Sequence, residues 1–274
     1  MKPLITICTV NYNSSEFIEL MLYGLQKLTI SPFKVVIRDN NSNDKDYNNL
    51  KNIVKNYSNV SLYQVKTNLN GSMAHGEALN ELVSKIDTQF GVIMDADATF
   101  LVKDWDKILI EKISDEMPIY GTQADVHFGK PEDFPLMFAV IFKTEILKNL
   151  QVDFRPRDQQ KFEDTGWELR EKYMKANLKG GLLYDFNTRT FKKGPFSKII
   201  CSEYYLNIDG NGSIFASHFG RGSAPKAKNL VRLRGPKSFF LRVVNKFLQY
   251  ANILKWHKQK KEWLNICKSI IDGQ

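Results

Sequence analysis

Residues 90–97 read Phe90-Gly91-Val92-Ile93-Met94-Asp95-Ala96-Asp97. A short apolar run bounded by polar residues predicts a buried strand, and two carboxylates follow it at once. Successive strand residues face opposite sides, but a loop after the strand can turn both acids toward one ion. Paired carboxylates with room for water and phosphate oxygens suit Mg2+ or Mn2+. Such an ion would neutralise a departing diphosphate. Asp-x-Asp is common by itself, and Asp97 alternatively caps a turn, so the surroundings must decide.

Upstream, apolar runs alternate with helical spacing. Leu4–Val10, Phe33–Ile37 and Val60–Val65 read as strands. Between them, Phe17, Leu20, Met21, Leu25 and Leu28 share one helical face, as do Tyr47, Leu50, Ile53 and Val54. A third helix is predicted over Met73–Ile86. The resulting β-α-β-α-β-α-β order predicts an α/β fold with a mostly parallel central sheet. In such sheets ligands bind beyond the carboxyl ends of the strands. Polar clusters follow Val10, Ile37 and Met94, all at that edge. Thr9, Asn11 and Tyr12 are candidates to line a nucleotide, with Tyr12 offering a face to the base or ribose. Asp39 is a candidate acceptor for a base N–H, or an ordinary turn residue.

Downstream the pattern is less regular. Helices are expected over Trp105–Ile113 and Phe162–Asn177, and strands over Ile119–Gln123, Met137–Phe142, Leu182–Phe186 and Ile214–Ser217. His218 ends the last of these and precedes a Gly-rich loop containing Arg221. Imidazole is a good Mn2+ ligand, and a guanidinium there suits a diphosphate. A structural hydrogen bond explains His218 equally well.

The segments ITICTVNYN, VVIRDNNSND, NLNGSMAHGEALN, GVIMDADATF and FEDTGWEL together resemble family 2 of the inverting glycosyltransferases, over about residues 3 to 220. The resemblance implies a GT-A fold, the Rossmann-like fold of nucleotide-diphospho-sugar transferases. It implies a nucleoside-diphosphate-sugar donor, with a UDP-sugar favoured, and a Mn2+ or Mg2+ cofactor. By position, Thr9, Asn11 and Asp39 would hold the nucleoside. Asp95 and Asp97 would serve ribose, diphosphate and metal, and Gly71 and His75 would border the donor. Phe162-Glu163-Asp164 resembles the family's Glu-Asp motif. An inverting transfer needs a base for the attacking hydroxyl, which Asp164 would supply, with Glu163 as the substitute. Acids in a first helical turn also simply favour the helix dipole. The implied acceptor is a glycan or a lipid-linked sugar, as in surface polysaccharide biosynthesis.

Charge divides the chain differently. Residues 226–274 hold 12 Lys and Arg against 2 acids, whereas residues 1–225 hold 27 against 28. This predicts a near-neutral catalytic domain at 1–225, with a nucleotide-sugar half to about 100 and an acceptor half from 101, followed by a basic helical tail at 226–274. Phe240, Val244, Phe247, Ala251 and Leu254 share a helical face, with Trp256 and Trp263 nearby. Such a helix suits an anionic membrane surface, engaged by residues 237–261. Docking on the body or on a second subunit is the alternative. No stretch approaches a membrane span of about 18 apolar residues, and the N-terminus is unlike a signal peptide. A cytoplasmic, peripheral location at the inner membrane face is therefore expected. Cys8, Cys201 and Cys267 are too few and too scattered for a disulfide framework.

Two other classes share some of these features. A nucleotidyltransferase of similar fold would usually carry a Gly-rich basic loop where this chain has Asn11-Tyr12-Asn13. A nucleic-acid binder is disfavoured by the neutral body, so no nucleic-acid partner is expected.

Overall fold

The computed structural model describes residues 2–125, 130–157, 164–222 and 236–274, the last with its side chains from 250 onward. Its elements run β1 (Ile5–Asn11), α1 (Ser15–Leu28), β2 (Phe33–Asp39), α2 (Asp44–Val54), β3 (Val60–Gln64), α3 (Gly71–Ser84), β4 (Phe90–Met94) and β5 (Ala98–Phe100). They continue with α4 (Trp105–Lys112), β6 (Ile119–Thr122), β7 (Ala139–Lys143), α5 (Thr144–Asn149), α6 (Trp167–Lys175), β8 (Gly180–Asn187), β9 (Ser202–Tyr205), β10 (Ala216–His218) and α7 (Pro236–Asp272). The strands lie in the order β3-β2-β1-β4-β7-β6-β8-β9-β10-β5. From β3 to β8 only β7 opposes the rest, which is the mostly parallel sheet of the GT-A fold. From β8 onward every pairing is antiparallel.

Strand alternation sorts side chains into two cores. Ile5 and Ile7 of β1, Val35 and Ile37 of β2, and Phe90, Val92 and Met94 of β4 join Phe17, Met21, Leu50 and Trp105 on one side. Cys8 and Ile93 face the other way, toward Leu79 and Leu82 of α3 and Tyr173 of α6. Both faces are covered, so these strands carry continuous apolar runs.

Three short elements escape the sequence reading: β5, α5 and β9. The helix expected over Phe162–Asn177 starts later, at Trp167, with Gly166 as its N-cap.

The basic tail needs a larger correction. The division near residue 225 is not a gap in the packing, because Trp256, Trp263, Cys267 and Ile271 of α7 belong to the main core. Trp263 is 1% exposed, among Phe17, Phe196 and Phe219. Gly24 of α1 permits this approach, since a Cβ there would lie 3.1 Å from Ile271 Cδ1. Lys260, expected on a membrane surface, pairs with Glu16 at 2.8 Å and lies over the Phe17 ring. Trp256 and Trp263 are therefore anchors of the helix on the body, not interfacial residues. Leu254 is exposed as expected of a free face. The side chains of Phe240, Val244 and Phe247 lie outside the described residues.

Candidate functional site

A cleft of about 670 Å3 opens at the carboxyl ends of β1 and β4. Its floor is the turn after β4. Asp95 N–H donates to Phe138 O at 2.8 Å, and Ala98 N–H to Asp95 O at 3.0 Å, so the chain reverses tightly across Asp95-Ala96-Asp97. Both carboxylates thereby reach one place. The antiparallel pairing of β10 with β5 sets His218 opposite Ala98, beside that turn. His218 Nε2 lies 3.2 Å from Asp97 Oδ1 and 3.7 Å from Asp95 Oδ2. Phe138 packs against the imidazole with centroids 4.4 Å apart. One ligand atom from each of Asp95, Asp97 and His218 falls within 4.8 Å of the others. His75 of α3 approaches from the opposite wall, with Nε2 3.6 Å from Asp95 Oδ1.

The two acids differ. Burial pushes the Asp95 carboxyl up, against the pull of His75 and His218. Burial acts the same way on Asp97, but His218 and the Arg221 N–H outweigh it and hold the pKa low. Asp95 Oδ1 is buried with no hydrogen-bond partner. A buried acceptor is costly unless satisfied. Two carboxylate oxygens and an imidazole nitrogen converging beside it fit a hard or borderline divalent cation.

Asp164 stands at the cleft's edge. It lies ahead of α6, not within its first turn, so the helix-dipole explanation does not apply to it. Oδ1 accepts from Ser72 Oγ at 2.5 Å and from Thr165 N–H, while Oδ2 accepts from Lys130 Nζ at 2.9 Å. Burial opposes ionisation, and the bonds from Ser72 and Lys130 outweigh it, keeping the carboxyl below its usual range. Ser72 and Lys130 escape a sequence reading, because a Ser at a helix start and a lone Lys carry no pattern. Glu163, the substitute, lies outside the described residues.

Four expected donor contacts stand elsewhere. Thr9, Asn11 and Asp39 are fully buried beneath the cleft. Asn11 Nδ2 donates to Asp39 Oδ2 at 2.7 Å, and Asp39 Oδ1 accepts from the Ser42 N–H and from Gln64 Nε2. Asn11 and Asp39 thus sew together the turns after β1 and β2. Their neighbours reach the cleft instead: Tyr12, 42% exposed, with Ser14, Asn40 and Asn41. Asn40 Oδ1 is buried without a partner. The Arg221 guanidinium turns away from the cleft, toward Gln259 Oε1 at 2.8 Å and Ile200 O. What Arg221 gives the site is its N–H, 2.9 Å from Asp97 Oδ2. Gly71 and His75 line the cleft. Asn70 places no side-chain cap on α3, whose N-terminus opens there.

A second cavity, of about 500 Å3, shares Asp164 and Thr165 with the first. Its walls are largely apolar, formed by Phe134, Leu136, Trp167 and Met174, with Lys130 and Arg170 among its lining.

Comparison with known proteins bears on this arrangement. Glycosyl transferase family 2 matches residues 6–178. No curated protein matches. A mannosyltransferase from Pyrobaculum calidifontis, solved with GDP-Man and Mn2+, superposes with a TM-score of 0.53 at 14% identity, covering 98% of this chain and 87% of that one. TarS of S. aureus gives a TM-score of 0.51 at 20% identity, over 68% of this chain and 36% of that one. Its 1–349 portion, solved with UDP-GlcNAc, gives 0.48 at 19% identity, over 63% of this chain and 53% of that one. The chain thus spans about half, or less, of the TarS chains it matches. At these identities the likeness is one of fold.

Proposed function

The chain belongs to glycosyl transferase family 2, and we propose that it moves a sugar, with inversion, from a nucleoside-diphosphate donor to a hydroxyl acceptor, using a divalent cation held by Asp95, Asp97 and His218. The observation that carries the proposal is the convergence of those three groups, with Asp95 Oδ1 buried and without a hydrogen-bond partner. Mn2+ or Mg2+ would there offset the negative charge that gathers on the leaving diphosphate.

The other roles follow from position. Tyr12 offers its ring to the nucleoside, and Asn40 Oδ1 is free to accept from a base N–H, the role expected of Asp39. The uncapped start of α3 favours the diphosphate, because backbone N–H groups point outward from a helix N-terminus. The acceptor enters from the apolar cavity, whose junction with the donor cleft is Asp164. As the acceptor oxygen bonds to the anomeric carbon, the carbon–oxygen bond to the diphosphate breaks on the opposite face. The hydroxyl proton passes to the Asp164 carboxylate. Ser72 and Lys130 keep that carboxylate ionised and aimed, at some cost to its basicity. Apolar walls beside the base suit a lipid-linked or otherwise amphipathic acceptor, consistent with surface glycan synthesis. Among the described residues no helix is long and apolar enough to cross a membrane. Exposed Lys255, Lys258 and Lys261 on the outer side of α7 support peripheral binding to an anionic membrane face.

Calorimetry of UDP and GDP with the full chain tests the donor reading. Binding is expected in Mn2+ and is expected to weaken sharply in EDTA. Equal affinity in both conditions would remove the cation from the account.

A further inference from the structure

Three side chains on one stripe of α7 grip the end of β10, which carries the third proposed cation ligand, and the turn after it. Trp256 Nε1 donates to Arg221 O at 2.9 Å. Gln259, one turn on, accepts from Arg221 Nη1 at 2.8 Å. Trp263, a further turn on, donates from Nε1 to Ser217 Oγ at 2.9 Å. The spacing of three and then four residues is that of a single helical face. All three side chains are buried. The gripped segment, Ser217 to Arg221, contains His218 and ends in the residue whose N–H donates to Asp97 Oδ2. Past His218 it leaves the sheet, and Gly220 adopts φ +69°, a left-handed conformation that costs other residues strain. Beyond β10 the described backbone is held by the Phe219 N–H, which donates to Asp97 O at 2.9 Å, and by the contacts from α7.

We propose that the docked part of α7 is a positioning element of the cation site. Trp256, Gln259 and Trp263 hold Ser217–Arg221 so that His218 Nε2 and the Arg221 N–H both meet Asp97. None of the three touches the proposed cation or donor; they act through Ser217 and Arg221. The inference rests on the cation reading above and adds that the site's affinity is set from the far end of the chain.

The loss of a charge-assisted contact separates this role from general packing. Gln259→Leu keeps the size of the side chain and removes the acceptor, while Gln259→Glu keeps an acceptor for Arg221. Trp256→Phe keeps an aromatic ring and removes the donor. Ile271→Ala weakens the docking of α7 at a point remote from the loop and serves as the stability-matched control. Mn2+ affinity is read from the free-ion electron paramagnetic resonance signal on each full-length protein. Hydrogen exchange of the peptide containing Arg221 is read without metal. The expected result is roughly tenfold weaker Mn2+ binding and faster exchange in Gln259→Leu and Trp256→Phe, with near wild-type values in Gln259→Glu and Ile271→Ala. A tenfold change corresponds to about 1.4 kcal/mol, the scale of one such contact. If Gln259→Leu and Trp256→Phe bind Mn2+ like wild type, the positioning role is wrong. If Ile271→Ala loses as much as they do, α7 acts only as bulk packing and the proposal fails. Should a Trp256 variant not fold, the Gln259 pair decides alone. If wild type itself binds no Mn2+, or binds it undiminished after Asp97→Asn, the underlying cation reading has failed instead.

Discussion

The first hundred residues and the last seventy build the same site by different means. From β1 to β4 the chain alternates strand and helix, and each functional turn directly follows the strand that places it. Tyr12, Asn40 and Asp95 each lie within a residue of a strand end. In the C-terminal region the partners are distant. His218 reaches Asp97 across 121 residues, and Trp263 reaches Ser217 across 46. The first arrangement is local and follows from parallel α/β topology. The second exists only once β5, β10 and α7 have come together. On the proposed reading, donor recognition is written into a contiguous stretch, while the candidate cation site, Asp95, Asp97 and His218, is shared between the two regions.

Several measurements would break or sharpen that contrast. The largest effect is expected at Asp164, which the start of α3 ties to the donor side. Asp164→Asn should lower kcat by about 100- to 10,000-fold, the usual worth of a general base, while leaving donor affinity within about twofold. Unchanged turnover would return the base role to Glu163 or to another group. Next comes the anchor of the C-terminal region. Trp263→Ala should cost about 3–5 kcal/mol in urea unfolding, as expected for truncating a buried Trp. A loss under 1 kcal/mol would mean that α7 is not part of the core.

A subtler effect concerns pH. Ser72 and Lys130 hold the pKa of the Asp164 carboxyl below its usual range against burial, so the proposed base stays ionised as pH falls and the acid limb of kcat should lie below the ordinary carboxylate range. Lys130→Met removes one of the groups that lower it. The pKa then rises, and the limb should move to higher pH. A limb that stays put would show that Lys130 does not act on the base. Smaller still is a difference in thiol protection. Burial pushes both the Cys8 and Cys201 thiols up to about 12, and Cys267 well above its usual value, so native protein should resist alkylation. In mild urea Cys267 should label before Cys8, because Cys267 needs only the release of α7 whereas Cys8 needs the central sheet to open. Simultaneous labelling would make the two regions one cooperative unit.

What the sequence discloses follows the same line. The apolar runs of β1, β2 and β4 are legible because both sheet faces are buried, and Asp95 is legible because it follows such a run. The three-residue β5 and four-residue β9 carry too little pattern, and their pairings span long stretches of chain. Arg221 illustrates a further limit. Its place in a Gly-rich loop beside the candidate ligand is readable from the sequence, but its direction depends on Gln259, 38 residues away. Asp39 and Asn11 fall at the expected edge, and their mutual hydrogen bond turns them from ligand contacts into supports. The tail's charge is plain in the composition. Which of its faces meets the body depends on Gly24 and Ser217, which composition does not reveal.

The central claim is that one cation is held jointly by the two regions. Electron spin-echo modulation of protein-bound Mn2+ detects a directly coordinated imidazole nitrogen and so addresses it in one measurement. The expected spectrum shows nitrogen modulation in wild type and in His75→Ala, and none in His218→Ala. Absence of nitrogen modulation in wild type, or its loss in His75→Ala alone, would contradict a site built from Asp95, Asp97 and His218.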